Sequence, residues 1–173
     1  PYIARMQESL LDLLKSAASL EELRGRLPQA MELILSRYKR LRQGEVDVDD
    51  LVVHKRIGRE LDAYRVPSPA AVAARQLEQL GKPARLGQRM PLVYTLGKPG
   101  IQAWHSLMEI DPRMVNYAYY GRLLIRAASS IMQPFGIDER ILQEYLHADG
   151  AVQTSLKWGE AVLPSILFPI QSI

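Results

Sequence analysis

The sequence predicts a mainly helical α+β domain in which a small antiparallel β insertion interrupts the helices near the middle of the chain. Three observations lead to this prediction. Apolar residues recur at helical spacing in both outer parts, two short strand-like runs lie between them, and the chain has 173 residues, of which 47% are hydrophobic. This length and composition fit one globular domain, which we place at residues 1–150, with a tail at residues 151–173.

Two helices are predicted at the start of the chain. Residues 3–17 carry apolar side chains every three or four positions, which is typical of a helix with one face on a core. Ser19, followed three residues later by Glu22, forms a capping box that starts the second helix. Gly25 and Pro28 are expected to interrupt this helix, which then resumes from Pro28.

The β insertion follows these helices. Residues 51–57 begin with β-branched side chains and are too short for an independent helix, so we predict a strand there and a second strand at residues 92–96. Between the strands, residues 70–80 predict a short helix closed by Gly81, and residues 82–89 predict a basic loop.

Two further helices are predicted after the insertion. Asp111 as N-cap and Pro112 in the first turn open what should be the longest helix of the chain, and Gly136 ends it. Its apolar stripe consists of Tyr117, Tyr120, Leu124, Ala127 and Ile131. Asp138 then caps a shorter helix.

Composition excludes several classes of protein. Without cysteine, the chain can form no disulfide, thiolate metal site, iron–sulfur cluster or cysteine nucleophile, and a reducing, cytoplasmic location is expected. No run of about 18 apolar residues could span a membrane, so no membrane association is expected. Because the sequence begins at Pro1 rather than at methionine, we expect it to be a piece of a longer protein.

The residues reveal no self-contained active site. The three histidines are too far apart in sequence to share a metal on one helix face. Asp47, Asp49 and Asp50 could hold a divalent cation, but aspartates of this kind favour a solvated loop between helix and strand, so no metal site is predicted. Neither a phosphate-binding glycine loop nor a serine nucleophile motif occurs.

Positive charge is concentrated in the middle of the chain. The net charge is only +3, yet residues 51–90 hold eight basic side chains against three acidic ones, whereas residues 136–173 hold five acidic against two basic ones. The basic side chains of the middle segment are Lys55, Arg56, Arg59, Arg65, Arg75, Lys82, Arg85 and Arg89. Such a series could follow the phosphates of a nucleic acid, although charge alone favours an ordinary solvated surface.

A longer run of residues in this segment carries a family resemblance. From Asp50 it reads Asp-Leu-Val-Val-His-Lys-Arg-Ile-Gly-Arg-Glu-Leu-Asp-Ala-Tyr-Arg, and then come Pro67-Ser68-Pro69 and Ala73-Ala74-Arg75-Gln76-Leu77. This order resembles the thumb region of family B DNA polymerases, most closely that of archaeal replicative enzymes and the bacterial repair member. The likeness extends over most of the chain, since Asp111-Pro112 and the tyrosines at 117, 119 and 120 occupy the place of that family's Asp-Pro and paired-tyrosine helix.

The resemblance implies a DNA-binding role. In that family the thumb is a mainly helical domain that grips primer-template duplex through its backbone. The DNA-binding candidates are Lys55, Arg56, Arg59, Arg65 and Ser68, which match phosphate-contacting positions of the family, and Arg75 of the same basic segment. Two positions depart from the family: Ala70 stands where a histidine is usual, and Gly58 replaces a hydroxyl or basic residue.

The resemblance also implies what the chain would need from elsewhere. It has no palm Tyr-Gly-Asp-Thr-Asp motif and no exonuclease acid set, so magnesium is expected only in an absent palm, and this piece alone should not polymerise. The implied partners are primer-template duplex and the palm and exonuclease portion of a polymerase, in the same chain or in a separate one. The alternative is a thumb-like interaction module or split subunit that docks on a catalytic polymerase or sliding clamp.

The tail offers a second binding candidate. Gln153, Leu156 and Trp158 resemble the short peptide by which polymerases of this family bind a sliding clamp. In such a peptide the two apolar side chains fill a partner pocket while the glutamine fixes the register by hydrogen bonds. The alternative is that Leu156 and Trp158 pack on the domain itself.

Overall fold

The computed structural model describes residues 1–59, 61 and 66–149. The described chain divides into two compact units. One, the sheet unit, consists of Pro1 and Gly44–Tyr120, and the other, the helical unit, consists of Tyr2–Gln43 and the described chain from Gly121 onward. The predicted boundary at residue 150 lies where the described residues end, so it stays a prediction.

The first two helices of the helical unit pack against each other. Helix α1 spans Tyr2–Lys15 and α2 spans Leu20–Arg42. The buried side chains of α1 are Tyr2, Met6, Leu10 and Leu14, and those of α2 include Leu27, Ala30, Met31 and Ile34. The Tyr2 hydroxyl donates to the carbonyl of Arg37 at 2.8 Å, which ties the start of α1 to α2.

Helix α2 is continuous through Gly25 and Pro28, so the predicted interruption is wrong. A proline inside a helix removes one hydrogen bond and costs about 3 kcal/mol. Apolar side chains from Leu27 to Ile34 are buried on either side of the proline turn, and packing of this kind outweighs local helix propensity. The predicted N-cap is confirmed, since the Ser19 Oγ accepts from the Glu22 amide at 3.1 Å. The Glu22 carboxylate accepts from the Ala18 amide at 2.7 Å, one residue before the position that a capping box requires.

Helix α4 spans Tyr117–Met132 and is shorter than α2, so the prediction that it is the longest is wrong. Asp111 caps a separate 3-10 turn, Pro112–Met114, because the chain then pairs with the end of a strand: the Asn116 amide donates to the Tyr94 carbonyl at 3.0 Å. Tyr120 and Leu124 of the predicted stripe are buried, whereas its other three members are only half-buried. Helix α5, Glu139–His147, is capped by Asp138 as predicted.

The sheet unit contains the predicted β insertion. Strands β1 (Val53–Arg56), β2 (Arg89–Tyr94) and β3 (Ile101–Ala103) form an antiparallel sheet in that order, and helix α3 (Pro69–Gln79) packs on it. Their shared core consists of Ile57, Ala70, Ala73, Ala74, Leu77, Met90, Leu92 and Ala103. The α+β fold class with a small antiparallel insertion is therefore confirmed. The three-residue strand β3 was not predicted, since so short a run gives no detectable alternation.

A side chain of α3 covers the outer edge of β3. The Gln76 amide nitrogen donates to the Ile101 carbonyl at 3.0 Å, and its oxygen accepts from the Ala103 amide at 2.7 Å. These two backbone groups point away from β2, so Gln76 supplies the bonds that a fourth strand would make. No helix within the described ranges is long and apolar enough to cross a membrane.

Candidate nucleic-acid interface

Strand β1 lies at one edge of the sheet and carries three consecutive exposed polar side chains. Lys55 is opposite Met90 in the register, and Arg56 is opposite Arg89. Because successive strand residues alternate between faces, Lys55 lies on the α3 side with the buried Met90. Arg56 and Arg89 instead share the opposite face, so the structure brings these two arginines together and separates Arg56 from Lys55.

A glycine turn fixes the start of β2. Gly87 has a φ of +81°, the Gln88 amide donates to the Arg85 carbonyl at 3.0 Å, and the Gln88 Oε1 accepts from the Arg85 amide at 2.9 Å. The Gly87 amide donates to the Ile57 carbonyl, and the Ile57 amide donates to the Gln88 carbonyl, both at 2.9 Å. This pattern is a type II turn leading into a glycine β-bulge, which sets the register of β2 against β1.

The same glycine holds the side chain of Arg56. The Arg56 Nε donates to the Gly87 carbonyl oxygen at 3.2 Å. A Cβ added to Gly87 would lie 3.6 Å from Nη2 of Arg56, so the guanidinium lies directly over the turn. A side chain at residue 87 would be strained by the positive φ, whereas its Cβ would meet Arg56 at an ordinary van der Waals distance.

Basic residues dominate this end of the sheet. We define the basic edge as the exposed residues Lys55, Arg56, Arg59, Arg85 and Arg89. Residues 51–59 and 82–94 contain no aspartate or glutamate. Among the residues that the structure describes, no carboxylate forms an ion pair with Lys55, Arg56, Arg85 or Arg89. Lys55, Arg56, Arg85 and Arg89 therefore present positive charge to solvent without a carboxylate in ion-pair contact among the described residues.

Two further predicted contacts have structural partners. The Ser68 Oγ accepts from the Ala71 amide at 3.2 Å and caps α3. The exposed Arg75, also on α3, donates from Nη2 to the Leu61 carbonyl at 3.1 Å. Ala70, where the family usually has histidine, is only 2% exposed and belongs to the core between α3 and the sheet.

The remaining predicted site residues lie outside the described part of the chain. They are Arg65 and the tail residues Gln153, Leu156 and Trp158. Conversely, the structure adds Arg85 and Arg89 to this surface, although the sequence does not predict them as DNA-binding residues. Gly87 between them was the available signal, because a lone glycine before a strand is typical of a bulge or turn that redirects side chains.

Acidic residues occupy the opposite end of β1. Asp47, Asp49 and Asp50 belong to the segment around the 3-10 turn Val48–Leu51, which precedes β1 as predicted. With His105 and Glu109 they line a groove of about 790 Å³. Within the described ranges, no group of three or more histidines and acidic residues has metal-binding geometry. The sheet unit thus carries opposite charge at its two ends.

Three tyrosines anchor β2 to the start of α4. The rings of Tyr94 and Tyr119 are 4.1 Å apart, and the hydroxyl of Tyr120 accepts from the Tyr94 amide at 3.0 Å. Burial raises the pKa of Tyr120 to about 12, and burial also raises the pKa of Tyr94. The phenols of Tyr94 and Tyr120 therefore stay neutral at physiological pH and act as structural groups.

No family profile matches the chain. It is 30% identical over 127 residues to DNA polymerase 2 of Aeropyrum pernix and 27% identical over 120 residues to DNA polymerase 3 of Saccharolobus solfataricus. These matches cover 69% and 67% of this chain but 15% of each relative. The chain therefore spans less than a fifth of the length of these relatives.

The fold is also similar to part of a solved structure. The family B DNA polymerase from the hyperthermophilic archaeon Pyrobaculum calidifontis matches with a TM-score of 0.57 and 26% sequence identity. The match covers 73% of this chain and 17% of that one. The sequence matches and the structural match therefore both point to DNA polymerases.

Proposed function

We propose that this chain is the thumb of a family B DNA polymerase and that it grips primer-template duplex through phosphate groups. The chain is related to that family, as its residues predicted. The observation that supports this proposal most is the basic edge. Five exposed cations lie on two paired strands and their flanking turns, in segments free of carboxylates. A surface of this kind attracts a polyanion.

The residue types favour backbone contact over base recognition. Arginine presents a planar fork of donors that matches phosphate geometry, whereas lysine acts as a flexible point charge. Phosphate contacts fix the position of a protein on a duplex without reading its sequence. The proposed role is therefore to raise the residence time of a polymerase on any primer-template, in replication or repair.

The chemistry of polymerisation would come from other parts of the enzyme. Phosphoryl transfer needs carboxylates that hold two magnesium ions, and we assign these to a palm, linked in the same chain or supplied by a partner. The proposed cellular location is the cytoplasm. Clamp binding by the tail and the role of a split subunit remain the predictions made from the sequence.

Equilibrium binding across a salt series tests the DNA grip. If the basic edge neutralises four phosphates, the logarithm of the binding constant should fall with the logarithm of salt concentration with a slope of about −3.6, at roughly −0.9 per phosphate. Labelled primer-template duplex should bind more tightly than single strand. A Lys55→Glu, Arg56→Glu, Arg59→Glu variant should lose most of this affinity and most of the slope.

A control variant with three charge reversals elsewhere on the chain separates the effect of where the cations lie from the effect of net charge. Lys15, Arg126 and Arg140 are exposed on helices α1, α4 and α5, so reversing them to glutamate changes the net charge by the same amount. This control should keep most of the duplex affinity. A slope near zero for the unmodified chain, or equal losses in the two variants, would refute the proposed grip and favour a protein-docking role.

A further inference from the structure

We propose that Arg56 and Arg89 together bind one phosphate group of the DNA backbone, and that the Gly87 turn positions them to do so. The inference rests on the proposed function and names the pair of residues that would share a single phosphate. It comes from the strand register and the turn geometry, since neither arginine is next to the other in sequence.

The register brings the two side chains close together. The amide and the carbonyl of Ile57 both form hydrogen bonds with the β2 side. Hydrogen-bonded and non-hydrogen-bonded pairs alternate along an antiparallel ladder. The next pair, Arg56 and Arg89, is therefore a non-hydrogen-bonded pair. In such pairs the Cα atoms lie about 4.5 Å apart and the side chains are closer than in the alternate positions. Both arginines are exposed on the same face of the sheet.

The pair is electrostatically unfavourable without an anion. Like charges directly opposite each other destabilise an antiparallel pair. Neither Arg56 nor Arg89 has a described carboxylate in ion-pair contact. A phosphate between the two guanidinium groups would replace this repulsion by charge-assisted hydrogen bonds.

The turn pre-orients one of the two donors. The bond from Arg56 Nε to the Gly87 carbonyl fixes the plane of the guanidinium, and the terminal nitrogens carry its other four donors. The Gln88 bond to the Arg85 amide holds the same turn closed. Less side-chain entropy is then lost when a phosphate binds, because part of the ordering already exists in the free protein.

The salt dependence of duplex binding distinguishes one shared phosphate from two separate ones. If the arginines share a phosphate, Arg56→Gln and Arg89→Gln should each weaken binding with nearly the original salt slope, because the remaining arginine still neutralises that phosphate. The double variant should then lose about 0.9 of the slope. Separate phosphates would instead give a loss of about 0.9 for each single variant and about 1.8 for the double, which would overturn the proposal.

Lys55→Gln and Arg85→Gln serve as the control pair. Lys55 lies on the other face of the sheet from Arg56, and Arg85 lies at the start of the turn, so the slopes of this pair should change additively. If the slope losses of Lys55→Gln and Arg85→Gln departed from additivity as much as those of Arg56→Gln and Arg89→Gln, this result would contradict a specific shared site.

A second readout keeps this inference separate from the proposed function. Inorganic phosphate should shift the Nε–H NMR signals of both arginines in the unmodified chain, and Arg89→Gln should weaken the response of Arg56. If the chain fails to bind duplex but shows these shifts, the thumb function fails while the phosphate site stands. If phosphate shifts neither signal, the site itself is refuted.

Discussion

At the scale of single residues, the basic edge shows a conflict between stability and binding. Arg56 and Arg89 face each other across two strands with no described carboxylate in ion-pair contact. Solvent and salt reduce the repulsion between exposed charges but do not remove it at low ionic strength. The free protein therefore keeps an unfavourable pair that only an anion turns into a favourable one.

The Arg89→Gln variant should consequently be more stable than the unmodified chain. We expect a gain of about 0.5 kcal/mol in the free energy of unfolding, measured by urea denaturation at low salt, because a like-charge cross-strand pair is removed. The gain should shrink at 0.5 M salt. Arg89→Lys keeps the charge and should show no gain; a stability loss in Arg89→Gln would mean that Arg89 has a structural role.

At the scale of elements, a side chain of helix α3 supplies the hydrogen bonds that the outer edge of strand β3 would otherwise lack. Gln76 of α3 satisfies the Ile101 carbonyl and the Ala103 amide on the outer edge of β3. The alanines at 70, 73 and 74 allow α3 to lie close enough to the sheet for this contact. The helix and the strand thus stabilise each other by packing and by two backbone-directed hydrogen bonds.

Substitution of Gln76 should separate these two contributions. Gln76→Leu keeps the volume but removes both bonds, so we expect the free energy of unfolding to fall by about 1–3 kcal/mol in urea denaturation. Gln76→Glu retains an acceptor for the Ala103 amide but sets a carboxylate oxygen against the Ile101 carbonyl, so it should also lose stability while still protecting the Ala103 amide. Faster amide exchange at Ala103 in the leucine variant would locate the effect; unchanged exchange would argue against edge protection by Gln76.

The elements also show where sequence reasoning succeeds and where it stops. The caps at Ser19 and Asp138 were predictable because a cap needs only a few neighbouring residues. The unbroken course of α2 through Pro28 was not, since burial against α1 decides it. Within the site, the exposed cations of β1 followed from sequence. The pairing of Arg56 with Arg89 required the register, which the Gly87 bulge sets from a distant segment.

At the scale of the whole molecule, both units contain tyrosines that resist ionisation. Burial raises the pKa of Tyr2 and Tyr145 in the helical unit, and of Tyr94, Tyr117 and Tyr120 in the sheet unit. In the unfolded chain these phenols would ionise near their ordinary pKa of about 10. Above that pH the unfolded state therefore loses protons that the folded state keeps, which favours unfolding.

We accordingly expect stability to fall in alkaline solution. The contribution of Tyr120 should be intact below about pH 10 and should be lost between about pH 10 and its folded pKa of about 12, at up to about 1.4 kcal/mol per pH unit. Urea denaturation at pH 8, 10 and 11 would measure this fall. Tyr120→Phe should be less stable at pH 8, because the Tyr94 amide loses its acceptor, but should show a shallower alkaline fall. An equal fall in both proteins would contradict the assignment.

The two edges of the small sheet also bear on self-association. An open strand edge is a template on which a second chain can add and begin an aggregate. On the β3 side, an incoming strand would have to displace Gln76. On the β1 side, edge-to-edge pairing of two copies would bring the exposed Lys55 and Arg56 side chains of both copies close to one another. The contacts that complete the sheet on one side and the charges proposed to hold DNA on the other therefore also oppose edge-to-edge self-association.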